Sequence, residues 1–116
     1  MNVYHAWFNL KDGVHDLEFA ASVRAYLDHL KERGLIEGYR VTRRKLGLAP
    51  PQLPEFHVTL DFATMAQMDE AFGRVSARAE PIEGFHHAVN SQVKDAFFAL
   101  YRDFPDPGRV TGQERF

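Results

Sequence analysis

The sequence predicts an α+β fold in which four antiparallel strands form one sheet and two helices cover one face of it. Residues 3–10 and 56–62 alternate between apolar and polar side chains. This alternation is the period of a strand, because successive side chains of a strand point to opposite faces. Two other segments repeat apolar residues at the spacing of a helix. With two further strands, the order along the chain is β-α-β-β-α-β.

The first half of the chain carries a strand, a helix and a second strand. Residues 3–10 form the first strand. Asp16 is predicted as the N-cap of a helix that ends near residue 33, because its carboxylate can accept hydrogen bonds from the free amides of the first turn. Gly34 is predicted to end this helix, since glycine adopts the left-handed conformation at little cost. Residues 35–46 are predicted to form the second strand.

The second half of the chain follows the same order, with one segment left open. Residues 55–62 form the third strand. Thr64 and Gln67 have the spacing of a capping box at the start of a helix that reaches about residue 79. Residues 84–90 fit either a short helical turn or an irregular segment, and residues 95–104 form the last strand.

The simplest arrangement of these elements is a ferredoxin-like split β-α-β fold, a four-stranded antiparallel sheet with both helices on one face. Right-handed crossovers place the first and third strands side by side in the middle of the sheet. The helices cover one face, and the other face, which bears His5, Trp7 and His57, is left open. We expect residues 1–104 to fold as this single domain and residues 105–116 to form a C-terminal tail.

The composition argues against several classes of protein. The formal net charge is −2 and the sequence pI is about 6.3, which is not typical of a nucleic-acid-binding protein. The chain has no cysteine, which excludes a disulfide framework, a thiolate nucleophile and a cysteine-ligated metal. The first residues do not resemble a signal peptide, and no apolar stretch approaches the ~20 residues needed to span a bilayer. We therefore expect a cytoplasmic protein with neither a nucleic-acid nor a membrane partner.

The open face is expected to be covered by a second copy of the chain. Its aromatic residues include Trp7, Phe97 and Tyr101, and such a surface is unfavourable for a monomer. A two-fold pair buries one patch against itself, so a homodimer is the most economical way to cover it.

The element order, the length and this mixed aromatic and polar face resemble the dimeric α+β barrel superfamily over about residues 3–104. The chain is also similar to small uncharacterised bacterial members of that superfamily without an assigned activity. The resemblance implies that two open faces form a barrel and that small molecules bind inside it or between sheet and helices. Members include cofactor-independent monooxygenases, isomerases, decarboxylases, haem-handling enzymes and proteins with no known reaction.

The candidate catalytic residues are His5, His57 and Asp61, which the alternation places on the open face. If Trp7 pairs with Thr59, then His5 lies opposite Asp61, and directly opposed side chains are close enough to interact. A His–Asp pair fixes the tautomer of the imidazole and can make it a general base. The alternative is that both histidines are merely hydrogen-bonded residues of the interface.

Five residues of the open face are candidates for substrate binding: Trp7, Asn9, Arg40, Thr59 and Tyr101. Trp7 and Tyr101 would hold an apolar or aromatic ligand, and Arg40 would meet an anionic group on it. Two of these residues also have a simpler explanation. Tryptophan commonly anchors an interface, and arginine on an edge strand protects that strand against unwanted pairing.

Neither a metal nor another cofactor is predicted. The sequence contains no H-x-x-x-H or H-E-x-x-H motif, and we interpret His86 and His87 as packing or pocket-rim residues. RNA-recognition motifs share the element order, but their Lys/Arg-Gly-aromatic signature is missing here. Two hypotheses remain. The first is a small-molecule site in the barrel, with cofactor-independent acid–base or oxygenase-type chemistry. The second is a non-catalytic interaction module whose open face serves only dimerisation.

Overall fold

The structure of the protein is a computed structural model that describes residues 1–106 and 108–113. It confirms the predicted fold class, an antiparallel sheet of four strands, and adds a third helix. None of the described helices is both long and apolar enough to cross a membrane. Of the expected tail, residue 107 and residues 114–116 lie outside the described residues. The elements are β1 Asn2–Leu10, α1 Asp16–Glu32, β2 Gly38–Arg43, β3 Phe56–Phe62, α2 Met65–Ser76, α3 Ile82–Asn90 and β4 Val93–Arg102. The strands lie in the order β2-β3-β1-β4 across the sheet.

Helix α3 is the main departure from the expected architecture. The segment that fitted either a helical turn or an irregular stretch is a helix of nine residues. Ile82, Phe85 and Val89 recur at helical spacing and form one side of it, and Ile82 and Val89 are buried. Helix α3 packs on α1, where the rings of His29 and Phe85 lie 5.0 Å apart between centroids. The helical layer therefore consists of three helices.

Of the two predicted ends of α1, the C-terminal end is confirmed and the N-terminal end is not. The N-cap is His15, which makes no side-chain capping bond, and Asp16 is the first helical residue. The predicted N-cap is therefore wrong by one position. At the other end, Gly34 has a φ of +71°. The amides of Gly34 and Leu35 donate to the carbonyls of Lys31 and Leu30, which is the Schellman pattern expected for a terminal glycine.

The predicted start of α2 is confirmed. The Thr64 hydroxyl accepts a hydrogen bond from the Gln67 amide at 3.1 Å, while the Gln67 side chain accepts one from the amide of Ala63 at 2.7 Å. The helix ends at Ser76, three residues before the expected end. The second strand is also shorter than expected and covers Gly38–Arg43.

The hydrophobic core lies between the three helices and one face of the sheet. Helix α1 contributes Phe19, Val23, Leu27 and Leu30, which are all buried. They pack in one cluster with the alternate residues of β3, which are Phe56, Val58 and Phe62, and with Ala71, Ile82 and Val89 from the other helices. Along a strand, alternate side chains therefore face the helices, and the side chains between them lie on the open face.

Strand β4 forms one edge of the sheet and contains a bulge. Trp7 pairs with Phe97, but Asn9 pairs with Lys94, so that two residues of β4 lie opposite Phe8. Asp95, one of these two, has a φ of +56°. A bulge of this kind bends a strand and increases its twist. Its effect is to keep Phe97, Ala99 and Tyr101 on the same face as His5 and Trp7.

Candidate functional site

The pairing of β1 with β3 corrects the predicted register. His5 lies opposite Thr59, and Trp7 lies opposite His57. The predicted pairing of Trp7 with Thr59 is therefore wrong by two residues, and His5 does not face Asp61. Because side chains alternate with a period of two, this shift leaves every residue on the expected face while changing its neighbours.

The observed register joins the two candidate histidines directly. Nδ1 of His5 lies 2.9 Å from Nε2 of His57, a hydrogen bond between the two half-buried rings. The indole of Trp7 lies parallel to the ring of His57, with centroids 4.4 Å apart and an interplanar angle of 4°. Tyr101 meets His5 edge-on at 4.8 Å. These four aromatic residues form one cluster, which we call the histidine cluster.

The hydrogen bond between the histidines limits their charge. One imidazole must donate an N–H and the other must accept with a bare nitrogen, so at least one of them is neutral. Burial lowers the pKa of His5, and the charge of Asp61 opposes this shift. Burial also lowers the pKa of His57, and a charge on His5 lowers it further. The pair therefore favours the uncharged state and can exchange a proton with a neighbouring group.

The lowered pKa values predict that the protein loses stability in acid. Folding depresses both values below the ordinary 6.5, so the unfolded chain binds more protons in the window below 6.5. The stability that the uncharged histidine pair contributes is complete above pH 6.5 and decreases as the pH falls through the folded pKa values of the two histidines. In urea unfolding between pH 7.5 and pH 5, we expect His57→Gln to lose less stability than the natural protein.

The matched control for this measurement is His15→Gln, which removes an exposed histidine at the start of α1. We expect it to alter the free energy of unfolding by less than ~0.5 kcal/mol, as is usual for a surface substitution. If the curves of the natural protein and His57→Gln are parallel, the histidine pair does not contribute to the pH dependence. All curves are compared at one protein concentration, because any association would shift apparent stability.

The other predicted site residues are only partly brought together. Arg40 pairs with Thr59 on the open face, so both lie beside the histidine cluster, and Arg40 is exposed. Asp61 shares this face but lies opposite Val3. Asn9 is engaged elsewhere: its side chain accepts from the amide of Glu55 at 3.0 Å and donates to Asp95 at 3.1 Å.

A cavity of about 300 Å³ lies on the opposite side of the sheet, between β1 and the helices. Its walls are mostly apolar and include Ala6, Val58 and Val89. Five polar residues also line it, namely Tyr4, Tyr26, Ser76, His86 and Asn90. We call this space the inner cavity. Its size and its mixture of apolar walls with a few polar groups are typical of small-molecule sites.

Two of the five polar groups of the inner cavity are the phenols of Tyr4 and Tyr26. Burial, together with the neighbouring Tyr4 and Glu83, raises the pKa of Tyr26 to about 12. Burial also raises the pKa of Tyr4. Both hydroxyl groups therefore stay protonated near neutral pH and can donate hydrogen bonds into the cavity. The ring of His86 lies 5.9 Å from that of Tyr26 and meets it edge-on.

The inner cavity was not predicted from the sequence. Tyr26 lies within the apolar stripe of α1, three residues after Val23, and a hydroxyl within such a stripe is a weak signal of a polar site. His86 was expected only as a packing or rim residue, which agrees with its place in the lining. Among the described residues, no group of three or more histidines or carboxylates could hold a metal ion.

Three solved structures show that this chain shares its fold with known proteins. The protein At3g17210 from Arabidopsis thaliana is 10% identical with a TM-score of 0.68, over 89% of this chain and 95% of that chain. A dimeric ferredoxin-like protein of unknown function from Jannaschia sp. CCS1 is 11% identical with a TM-score of 0.63, over 89% and 100%. SnoaB from Streptomyces nogalater, a cofactor-independent oxygenase, is 10% identical with a TM-score of 0.62, over 93% and 97%.

These identities are low, so the likeness concerns the fold alone. It confirms the expected resemblance to dimeric ferredoxin-like proteins, several of which have no known function. No curated protein matches the sequence at a significant level. Residues 1–116 match the family of unknown function DUF6614, and the chain belongs to that family.

Proposed function

We propose that the protein is a homodimer and that each protomer binds a small, largely apolar and uncharged molecule in its inner cavity. The observation that carries this proposal is the cavity itself, about 300 Å³ in volume and lined mainly by apolar side chains. Neither Lys, Arg, Asp nor Glu is among the described residues that line it. A charged ligand would lose its hydration there without gaining an opposite charge, so an uncharged ligand is favoured.

The homodimer is proposed from the open face. Phe97 and Tyr101 are exposed there beside Trp7 and the two histidines, and an aromatic patch of this kind favours an interaction surface. The similar protein from Jannaschia is described as dimeric. A two-fold pair would bring the histidine clusters of both protomers to the interface, where the expected barrel would enclose them.

The chemistry that we propose is cofactor-independent. The similar protein SnoaB is described as a cofactor-independent oxygenase, and the inner cavity of this chain offers hydrogen-bond donors and one imidazole, His86. Tyr4 and Tyr26 would orient the ligand through their hydroxyl groups, and His86 would exchange a proton with it. This assignment differs from the expectation from sequence, which placed the ligand in the barrel.

A cavity-filling variant tests the binding site. Ala6 is buried in the lining of the inner cavity, and Ala6→Leu adds three carbon atoms there. We expect this change to weaken binding of 2-methoxynaphthalene by about tenfold or more, because forcing a ligand into an overfilled site costs ~1–3 kcal/mol. Isothermal titration calorimetry measures the affinity. The matched control is Ala25→Leu, the same change at an exposed position of α1, which should bind like the natural protein.

The second candidate is a ligand site on the open face, within the barrel. The contact of 2.9 Å between His5 and His57 favours it, because such a pair can act as general acid and base toward a molecule stacked on Trp7. Arg40, Thr59 and Tyr101 would then border the ligand. In the same titration, loss of binding in His57→Ala with full binding in Ala6→Leu would identify this site. Absence of binding in the natural protein would favour a non-catalytic interaction module.

A further inference from the structure

A second pocket adjoins the inner cavity. It has a volume of about 330 Å³ and is lined by charged and polar residues, including Arg78, Glu83 and His87. Four residues line both spaces, namely Val75, Ser76, His86 and Asn90. We call this second space the polar pocket. A molecule in the inner cavity would therefore have its apolar part among apolar walls and one end directed toward polar groups.

Glu83 is the unusual residue of the polar pocket. Its Oε2 atom is buried and has no hydrogen-bond partner among the described residues. Buried polar atoms are nearly always hydrogen-bonded, and leaving one unpaired is unfavourable. The other such atom, Oε1 of Gln92, lines neither space. Because Glu83 also lines the polar pocket, a molecule in that pocket can supply a hydrogen-bond donor to its carboxyl group.

The position of Glu83 brings it close to the polar groups of the inner cavity. Glu83 and His86 are three residues apart on α3, so they lie on the same side of the helix. Glu83 is also one of the groups that raise the pKa of Tyr26, in agreement with a carboxyl group on the side of α3 that carries His86.

We propose that Glu83 determines ligand specificity by accepting a hydrogen bond from a hydroxyl group of the bound molecule. The apolar body of that molecule occupies the inner cavity, and its hydroxyl end reaches the polar pocket. This inference rests on the proposed function, because it requires the ligand to lie in the inner cavity. It adds the chemical class of the ligand, which is an uncharged apolar alcohol or phenol.

Two probes that differ in one hydrogen-bond donor test the proposal. 2-Naphthol and 2-methoxynaphthalene share the same ring system, but only 2-naphthol can donate a hydrogen bond from its oxygen. We expect Glu83→Met to weaken 2-naphthol binding by about tenfold, the usual effect of losing one hydrogen bond to a charged group. Binding of 2-methoxynaphthalene should stay within about twofold, since this probe makes no such bond. Isothermal titration calorimetry measures both affinities.

The controls separate this inference from the proposed function. Glu18→Met removes an exposed carboxyl group from α1 and should leave both affinities unchanged. If Glu83→Met does not fold, Glu83→Gln is measured instead, and its weaker acceptor should reduce the preference for 2-naphthol by about threefold. Equal changes for both probes, or none, would overturn the role of Glu83 alone. If neither probe binds the natural protein, or if Ala6→Leu affects neither, the proposed function fails as well.

Discussion

Replacing Phe97 by Asp is expected to convert the proposed dimer to a folded monomer. Phe97 lies on β4 opposite Trp7 and is 47% exposed in the single chain. In a two-fold dimer formed by the open faces, each copy of Asp would be buried without a partner of opposite charge. Burying an unpaired charge costs at least ~3 kcal/mol, so the dissociation constant should rise by about 100-fold or more.

The effect of Phe97→Asp is measured by sedimentation velocity at several micromolar concentrations, with circular dichroism to verify the fold. Leu17→Asp provides the matched control, because Leu17 is also a large apolar residue and is 81% exposed, but it lies on α1. We expect the control to remain dimeric. A folded Phe97→Asp that sediments as a dimer would show that the open face is not the interface.

The face of each strand residue could be predicted from the sequence, but the pairing between strands could not. Alternation alone places His5, Trp7 and His57 on one side of the sheet, as observed. A shift of two residues preserves that alternation, so periodicity cannot distinguish a His5–Asp61 pair from the observed His5–His57 contact. Register is determined by the turns and bulges of all the strands together, and not by the pattern within one strand. One of them, the bulge of β4 at Asp95, has no clear signature in the sequence.

The inner cavity could not be predicted because it depends on how three helices pack together. Tyr26 from α1, Ser76 at the end of α2 and His86 from α3 meet there, although they are far apart in the sequence. The segment of α3 contains Gly84 and two adjacent histidines, which weakened its helical signal. With α3 left undefined, neither His86 nor Glu83 could be assigned to a site.

The packing of α1 against the sheet depends on Phe19, and Phe19→Ala should have the largest effect on stability. Its side chain has no exposed surface, and its ring lies 5.1 Å from that of Phe56 on β3. Truncation removes the transfer free energy of a phenyl ring and leaves a void between helix and sheet. The expected loss is ~3–5 kcal/mol, a large share of the ~5–15 kcal/mol that holds a typical domain folded.

Urea unfolding at one protein concentration measures this loss, with Phe104→Ala as the control for the same chemical change. Phe104 is 84% exposed, so its truncation should alter the free energy of unfolding by less than ~0.5 kcal/mol. The contrast tests whether the helices cover one face of the sheet. Only a side chain buried between a helix and that face should cost so much more to truncate than an exposed one. Equal losses in the two variants would mean that α1 does not pack on β3 as the structure describes. In that case the inner cavity would lack the wall that α1 forms.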